Sequence, residues 1–141
     1  MYNLEEVTEN LKREEGWSAT VYNCSEGYES IGYGRNISAT GPGITKEEGE
    51  FLLSNDIARC VSELEAALPW VSGCDRIVAN VLVELCYQLG LPTLLKFKLT
   101  LNHLQRDEYV LGASELLRSR FAKQTPARAQ RLAERLRSAG Q

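Results

Sequence analysis

Residues 3–43 read NLEEVTENLKREEGWSATVYNCSEGYESIGYGRNISATGPG, and the pattern changes twice along them. Asn3 stands where a helix cap belongs and Glu6 can reach back to it, the spacing of a capping box. Leu4, Val7 and Leu11 then recur at helical intervals, and the helix is expected to stop near Gly16. From Ala19 to Arg35 the texture turns β-prone. Thr20-Val21-Tyr22 and Tyr28 to Tyr33 form short runs broken by Ser25-Glu26-Gly27. Residues 36–43 have the composition of a loop. A helix, a hairpin sheet and then helices alone make the class α+β.

Working outward, Thr45-x-x-Glu48 is a second capping box opening a long helix through Phe51, Leu52, Ile57, Val61, Leu64 and Leu68, ended by Pro69. About 23 residues at ~1.5 Å rise span ~35 Å, enough to join two lobes. From Asp75 to Leu89 the apolar residues cover a wide arc, which predicts a centrally buried helix closed by Gly90. Residues 93–105 and 107–119 predict two shorter helices, and Thr125-Pro126 has the cap-plus-first-turn signature of a last one. The expected domain spans 1–141 as one unit: an N-terminal lobe with a sheet over about 1–55, then a connecting helix and helical lobe over about 56–141.

Length and composition narrow the function classes. A chain of 141 residues with 43% apolar content can bury a single core, which excludes disorder. No apolar run approaches the ~20 residues of a membrane helix. The start, Met1-Tyr2-Asn3-Leu4-Glu5-Glu6, is acidic where an export signal is basic and then apolar, so neither export nor membrane insertion is expected. Residues 1–65 hold 5 Lys/Arg against 13 Asp/Glu, and residues 66–141 hold 11 against 6. That split means two oppositely charged solvated faces or a basic face for an anionic partner. The cysteines at 24, 60, 74 and 86 have no zinc or CxxC spacing, and His103 is the only histidine. No metal or other cofactor is expected, and reduced thiols are the default.

The candidate chemistry lies where the first helix meets the sheet. Glu15, in a last helical turn facing a short sheet, has the position of a general acid, with Cys24, Glu26, Glu29 and Ser30 following. The bland reading is that Glu14-Glu15 before Gly16 is a solvated pair. Cys60, Cys74 and Cys86 read as packing residues, Trp17 and Trp70 as packing at lobe boundaries or, in the sharper reading, as sugar-stacking groups. His103 reads as a surface residue without a partner. Arg128, Arg131, Arg135 and Arg137 form a basic tail, but no aromatic interleaving or groove-reading motif accompanies it, so no nucleic acid is expected.

The segments Leu11 to Gly16, Tyr22-x-Cys24-Ser25-Glu26-Gly27-Tyr28 and Ser30-Ile31-Gly32-Tyr33-Gly34 resemble the active-site region of phage lysozymes of the T-even type, glycoside hydrolase family 24. Tyr87-Gln88-Leu89-Gly90 and Ser119 to Ala129 resemble two C-terminal segments of the same family, in order. The resemblance implies a lysozyme-like fold and a muramidase cutting the β-1,4 bond between N-acetylmuramic acid and N-acetylglucosamine of bacterial peptidoglycan. It implies Glu15 as general acid, Cys24 as the group that activates or positions water or attacks directly, and Ser30 as a hydroxyl holding that water. Tyr87, Gln88 and Thr100 align with sugar contacts. Arg128 stands where an arginine pairs with the catalytic glutamate, Arg131 would face Glu14, and Glu26 with Arg120 would bridge the cleft mouth.

The sequence departs from the family pattern in four places. Cys24 replaces the usual Asp, Ser30 replaces Thr, Arg35 replaces a common His, and the connection from sheet to long helix is shorter. Asn36 falls where the family often has an apolar residue. An ordinary thiol is mostly neutral at pH 7, and Glu15, Glu26 and Glu29 add negative charge near Cys24, so a lowered thiol pKa is not expected, Arg128 being the main opposing charge. The reading is a monomeric endolysin, made in the host cytoplasm and acting on peptidoglycan in the periplasm. It would reach the wall through a separate pore-forming protein or by virion delivery. The rivals are a catalytically inactive wall-binding module, which Cys24 favours, and a basic nucleic-acid-binding domain.

Overall fold

The computed structural model describes residues 1–141. Contacts divide the chain into two compact units, Met1–Phe51 and Leu52–Gln141. In the first, α1 spans Leu4–Glu15. Asn3 caps it by accepting from the Glu6 N–H at 3.1 Å. The Gly16 N–H closes it on the Lys12 carbonyl at 3.0 Å, with Gly16 at φ 71°, a conformation that glycine adopts without a Cβ penalty. Leu4, Val7 and Leu11 are all exposed, so their helical spacing gave the element but not a buried face.

Three antiparallel strands follow, β1 Ser18–Asn23, β2 Glu29–Gly32 and β3 Arg35–Asn36, in the order β1-β2-β3. Tyr22 faces Ser30, which in turn faces Asn36, and an irregularity in β1 between Ser18 and Tyr22 accommodates the offset. The third strand has two residues, too short to show an alternating pattern in sequence.

The helix α2, Lys46–Ala67, begins in the first unit and continues into the second. Its capping box is reciprocal: the Thr45 N–H donates to Glu48 Oε1 at 2.9 Å, and the Glu48 N–H donates to Thr45 Oγ1 at 3.1 Å. After a 3-10 turn at Pro69–Gly73 come α3 (Arg76–Leu89), α4 (Leu91–Leu94), α5 (Lys98–Gln105), α6 (Tyr109–Leu117), α7 (Arg120–Gln124) and α8 (Pro126–Arg137). The helix read over 93–105 is therefore two, α4 and α5, the one read over 107–119 is α6, and α7 is an additional short helix before α8. Asp107, at φ 60°, turns the chain between α5 and α6, and Ser119 starts α7 by accepting from the Ala122 N–H at 3.3 Å. Thr125 does not cap α8 with its side chain. Its hydroxyl donates instead to the Phe121 carbonyl at 3.0 Å and closes α7, leaving Pro126 to open α8.

The core lies in the second unit. Leu64 of α2, Val78, Val81, Leu82 and Leu85 of α3, and Leu132 and Leu136 of α8 are buried in one cluster that also takes in Leu104 and Leu116. Cys60 and Cys86 belong to it, as packing residues should. Asp75 ties the start of α3 to the C-terminal end of the chain: Oδ1 caps α3 through the Ile77 N–H at 2.8 Å, and Oδ2 accepts the Gly140 N–H at 3.0 Å. His103 has a partner after all, since the turn after α5 brings Glu108 Oε1 to 3.4 Å from its Nδ1.

Candidate functional site

Glu15, Cys24 and Ser30 all belong to the first unit, Glu15 at the end of α1, Cys24 in the β1–β2 turn and Ser30 on β2. Glu15 ends α1, and its carboxylate lies against Gly34 in the turn between β2 and β3. A Cβ built on Gly34 would come within 2.7 Å of Glu15 Oε2. Gly34 also has φ 80°, so close approach and left-handed backbone both require glycine there.

Cys24 opens the β1–β2 turn. The Gly27 N–H donates to the Cys24 carbonyl at 2.8 Å, and the Cys24 N–H donates to the Tyr28 carbonyl at 2.9 Å. In this turn the backbone of Glu26 and of Tyr28, and then the Ser30 hydroxyl, favour the thiolate form of the half-buried Cys24. Together they lower the Cys24 pKa from its ordinary value, the Glu26 and Tyr28 backbone contributing most and outweighing desolvation and the Glu26 carboxylate. The expectation of an unshifted or raised thiol is thereby corrected. Counting side-chain charges missed the peptide dipoles that a tight turn points inward, a small anion nest.

Ser30 is buried and is the one buried residue of the first unit. Its hydroxyl also lies 3.3 Å from the Tyr28 carbonyl. A single hydroxyl proton thus has two acceptors, the carbonyl or the Cys24 sulfur, and it can follow the charge state of the thiol.

Arg35, whose effect sequence left open, reaches across the loop to the start of α2. Nη1 donates to the Gly43 carbonyl at 2.9 Å and to Glu48 Oε1 at 3.0 Å, and Nη2 lies 2.9 Å from Glu48 Oε2. This bidentate pair, with the Thr45 N–H and hydroxyl, holds the Glu48 carboxyl at about 2. Asn36 organises the same loop. Its Oδ1 accepts from the Ser38 N–H at 2.9 Å and the Ser38 hydroxyl at 2.6 Å. Trp17 does not pack at a boundary: its ring is 66% exposed and lies 5.0 Å from that of Tyr33. Glu26 and Glu29 are exposed.

In the second unit the expected sugar contacts fall in different places. Tyr87 and Arg128 share a cavity of about 360 Å³ with Leu53, Ile57, Val83 and Glu84. Thr100 and Arg120 line another, of about 560 Å³, with Lys96, Lys98, Arg118 and Phe121. Gln88 lines neither, and its Oε1 is a buried acceptor without a hydrogen-bond partner. Arg135 is not a free basic-tail residue. Its two terminal nitrogens bind both carboxylate oxygens of Glu84, at 3.0 and 2.6 Å. Arg131 is exposed, and Trp70 packs partly buried against the core.

The comparisons with known proteins bear on the chain almost end to end. The family model described as phage lysozyme matches residues 12–138. A curated protein named probable T4-type lysozyme 1, from Dictyostelium discoideum, is 25% identical over 154 residues, covering 89% of this chain and 90% of its own length. The small antiparallel sheet beside an otherwise helical chain is consistent with a lysozyme-like α+β fold. With nine-tenths of its length matched by the family model, the chain belongs to the phage lysozyme family.

Proposed function

We propose that the protein is a muramidase that hydrolyses the β-1,4 bond between N-acetylmuramic acid and N-acetylglucosamine in bacterial peptidoglycan. Family membership supports a lysozyme-type glycosidase, and the observation that carries the finer reading is the arrangement in the first unit. One carboxyl, Glu15, rests on a glycine turn between β2 and β3, and a thiol with a lowered pKa, Cys24, stands in the turn between β1 and β2.

In this reading Glu15 protonates the glycosidic oxygen as the bond breaks, and the developing oxocarbenium ion is met from the other side of the ring. Cys24 as thiolate draws a proton from the attacking water or attacks the anomeric carbon itself. Ser30, with one proton and two acceptors, holds the water or the sulfur in place. Tyr87, Gln88 and Thr100 are assigned to the glycan, Tyr87 and Thr100 from the linings of the two cavities. The ion-pair roles of Glu26, Arg120 and Arg128 belong to the same proposal. No helix is long and apolar enough to cross a membrane; passage to the wall through a separate pore or by virion delivery belongs to the same proposal.

The test is loss of turbidity of outer-membrane-permeabilised Gram-negative cells. The native chain should lyse them, and Glu15→Gln, nearly isosteric but unable to supply a proton, should be slower by ~100- to 10,000-fold. Near-native lysis by a folded Glu15→Gln variant would overturn the assignment. The second reading, an inactive wall-binding module, is favoured by the thiol in place of a carboxylate. It requires sedimentation with insoluble peptidoglycan but no lysis by the native chain.

A further inference from the structure

Trp17 and Tyr33 have ring centroids 5.0 Å apart at an interplanar angle of 54°, and Lys12 Nζ lies 5.7 Å from the centre of the Tyr33 ring. Both rings are open to solvent, Trp17 at 66% and Tyr33 at 48% exposure. A pair serving only to hold α1 to the sheet would bury its faces, since large aromatic side chains supply most of their stabilisation through area removed from water.

The pair is tied to Glu15 from both sides. Trp17 follows Glu15 by two residues across the Gly16 turn, and Tyr33 immediately precedes Gly34, on which the Glu15 carboxylate rests. Beneath the indole is Gly32, where an added Cβ would meet the ring at 3.7 Å, so a backbone without a side chain supports it. The pair is therefore an exposed, tilted aromatic corner close in sequence and backbone to the candidate acid.

We propose that Trp17 and Tyr33, with Lys12, form a glycan subsite that stacks one N-acetylated hexopyranose next to Glu15. This rests on the muramidase reading for its occupant. A pyranose presents an apolar C–H face that suits an aromatic ring, and its N-acetyl methyl suits the angle between two tilted rings. Lys12, whose present partner is Glu9 at 3.7 Å on the same exposed helix face, is a cation for the carboxylates that muramyl residues carry. The occupant is thus a sugar of the glycan strand bearing or neighbouring a lactyl or peptide carboxylate. Sequence offered two readings for Trp17 and none for Tyr33, because only the fold brings residues 17 and 33 together.

The test is binding of an N-acetylglucosamine oligomer and of a soluble muropeptide oligomer to the full chain carrying Glu15→Gln, which blocks turnover. Binding is read as the anisotropy of fluorescein-labelled oligomers, a signal that does not depend on either tryptophan. Trp17→Ala and Tyr33→Ala should each weaken binding about tenfold. Lys12→Gln should weaken only the carboxylate-bearing oligomer. Trp17→Phe should retain most of the affinity, and Trp17→Leu should not. In an otherwise native chain that lyses cells, the same variants should raise KM more than they lower kcat.

Equal binding by Trp17→Leu and Trp17→Phe, or unchanged KM in Trp17→Ala, would overturn the subsite while leaving the muramidase reading intact. A native chain that never lyses cells but loses oligomer binding on Trp17→Ala would do the reverse. Far-UV circular dichroism confirms that each variant compared is folded.

Discussion

The two units are built on different physics. The helical unit, Leu52–Gln141, contains every buried apolar side chain of the protein, among them Leu64, Leu82, Leu104, Leu116 and Leu136. The N-terminal unit, Met1–Phe51, buries one residue, and that residue is the serine beside Cys24. What orders it is polar and local: the Asn3 cap, the Asn36 loop, the reciprocal Thr45–Glu48 box, the Arg35–Glu48 pair and glycine turns. The candidate catalytic groups therefore sit where few apolar contacts resist local opening, and the apolar core sits elsewhere. The contrast predicts that activity is sensitive to hydrogen bonds and charge, whereas global stability is sensitive to volume.

The sharpest division is expected at Cys24. Cys24→Ala should reduce lysis severely and leave the unfolding of the helical core unchanged, while Cys24→Asp should keep or raise lysis. With a thiolate as the working species, activity of the native chain should rise with pH through the lowered thiol pKa. In the Asp variant that rise should move down into the carboxylate range. A thiol-alkylating reagent should inactivate the native chain and spare Cys24→Asp. Cys86 is buried and pushed up to about 11 by desolvation and by Cys60, and burial likewise raises Cys74, so both react slowly. Identical pH profiles for the two chains would remove the thiolate from the mechanism.

The complementary change is Leu82→Ala, which opens a cavity at a fully buried position of α3. It should destabilise the helical unit by about 2–5 kcal/mol in urea unfolding followed by Trp70 fluorescence. Activity at low temperature should fall far less than in Cys24→Ala. If lysis falls in proportion to lost stability, the division of labour between the units is broken.

How far the sequence could be read follows the same division. Helical periodicity located α3 and α8 because burial in a core leaves a repeat of apolar residues. The helix α2 was located instead by its capping box and Pro69, since Phe51, Leu52 and Ile57 are exposed and only Cys60 and Leu64 are buried. The break at Asp107 was placed correctly, but the short helices α4 and α7, of four and five residues, were missed because one turn of helix is too short to show a period. Glu15, Cys24 and Ser30 were legible as a spaced set through the family resemblance. The direction of the Cys24 shift was not, since it depends on backbone N–H groups that carry no residue identity. Arg35 was visible only as a departure. Its partner, thirteen residues away, is fixed by the loop between them.

A smaller effect, confined to the first unit, is expected from Gly34→Ala. The backbone there is left-handed, which costs an L-residue with a Cβ roughly 1–2 kcal/mol, and the new methyl would meet Glu15 Oε2. The carboxylate must swing away, and a ~1 Å misplacement of a catalytic group can cost ~100-fold in rate. Lysis should fall with Trp70-reported unfolding unchanged. An active Gly34→Ala variant would show that the position of Glu15 against this turn is not the one that works.

The mildest change, Arg35→Met, tests whether polar contacts hold the N-terminal unit. The Glu48 carboxyl lies at about 2, well below its ordinary value, through Arg35 first and then Thr45. A carboxylate depressed on folding stabilises the folded state fully above its unfolded pKa, and that contribution is lost as pH falls from about 4.5 toward 2. Removing Arg35 leaves the Thr45 contacts, so the folded pKa should return part of the way and the acid transition should move to higher pH. Trp17, retained in Trp70→Phe, reports on the first unit, and Trp70, retained in Trp17→Phe, reports on the second. Arg35→Met should shift the Trp17 acid midpoint upward and leave the Trp70 midpoint in place. The latter follows the helical core and the Asp75 carboxyl, itself lowered chiefly by the Ile77 N–H. A common midpoint moving equally for both reporters would mean that the units unfold as one. Polar bonding in the first unit would then draw its stability from the apolar core of the second.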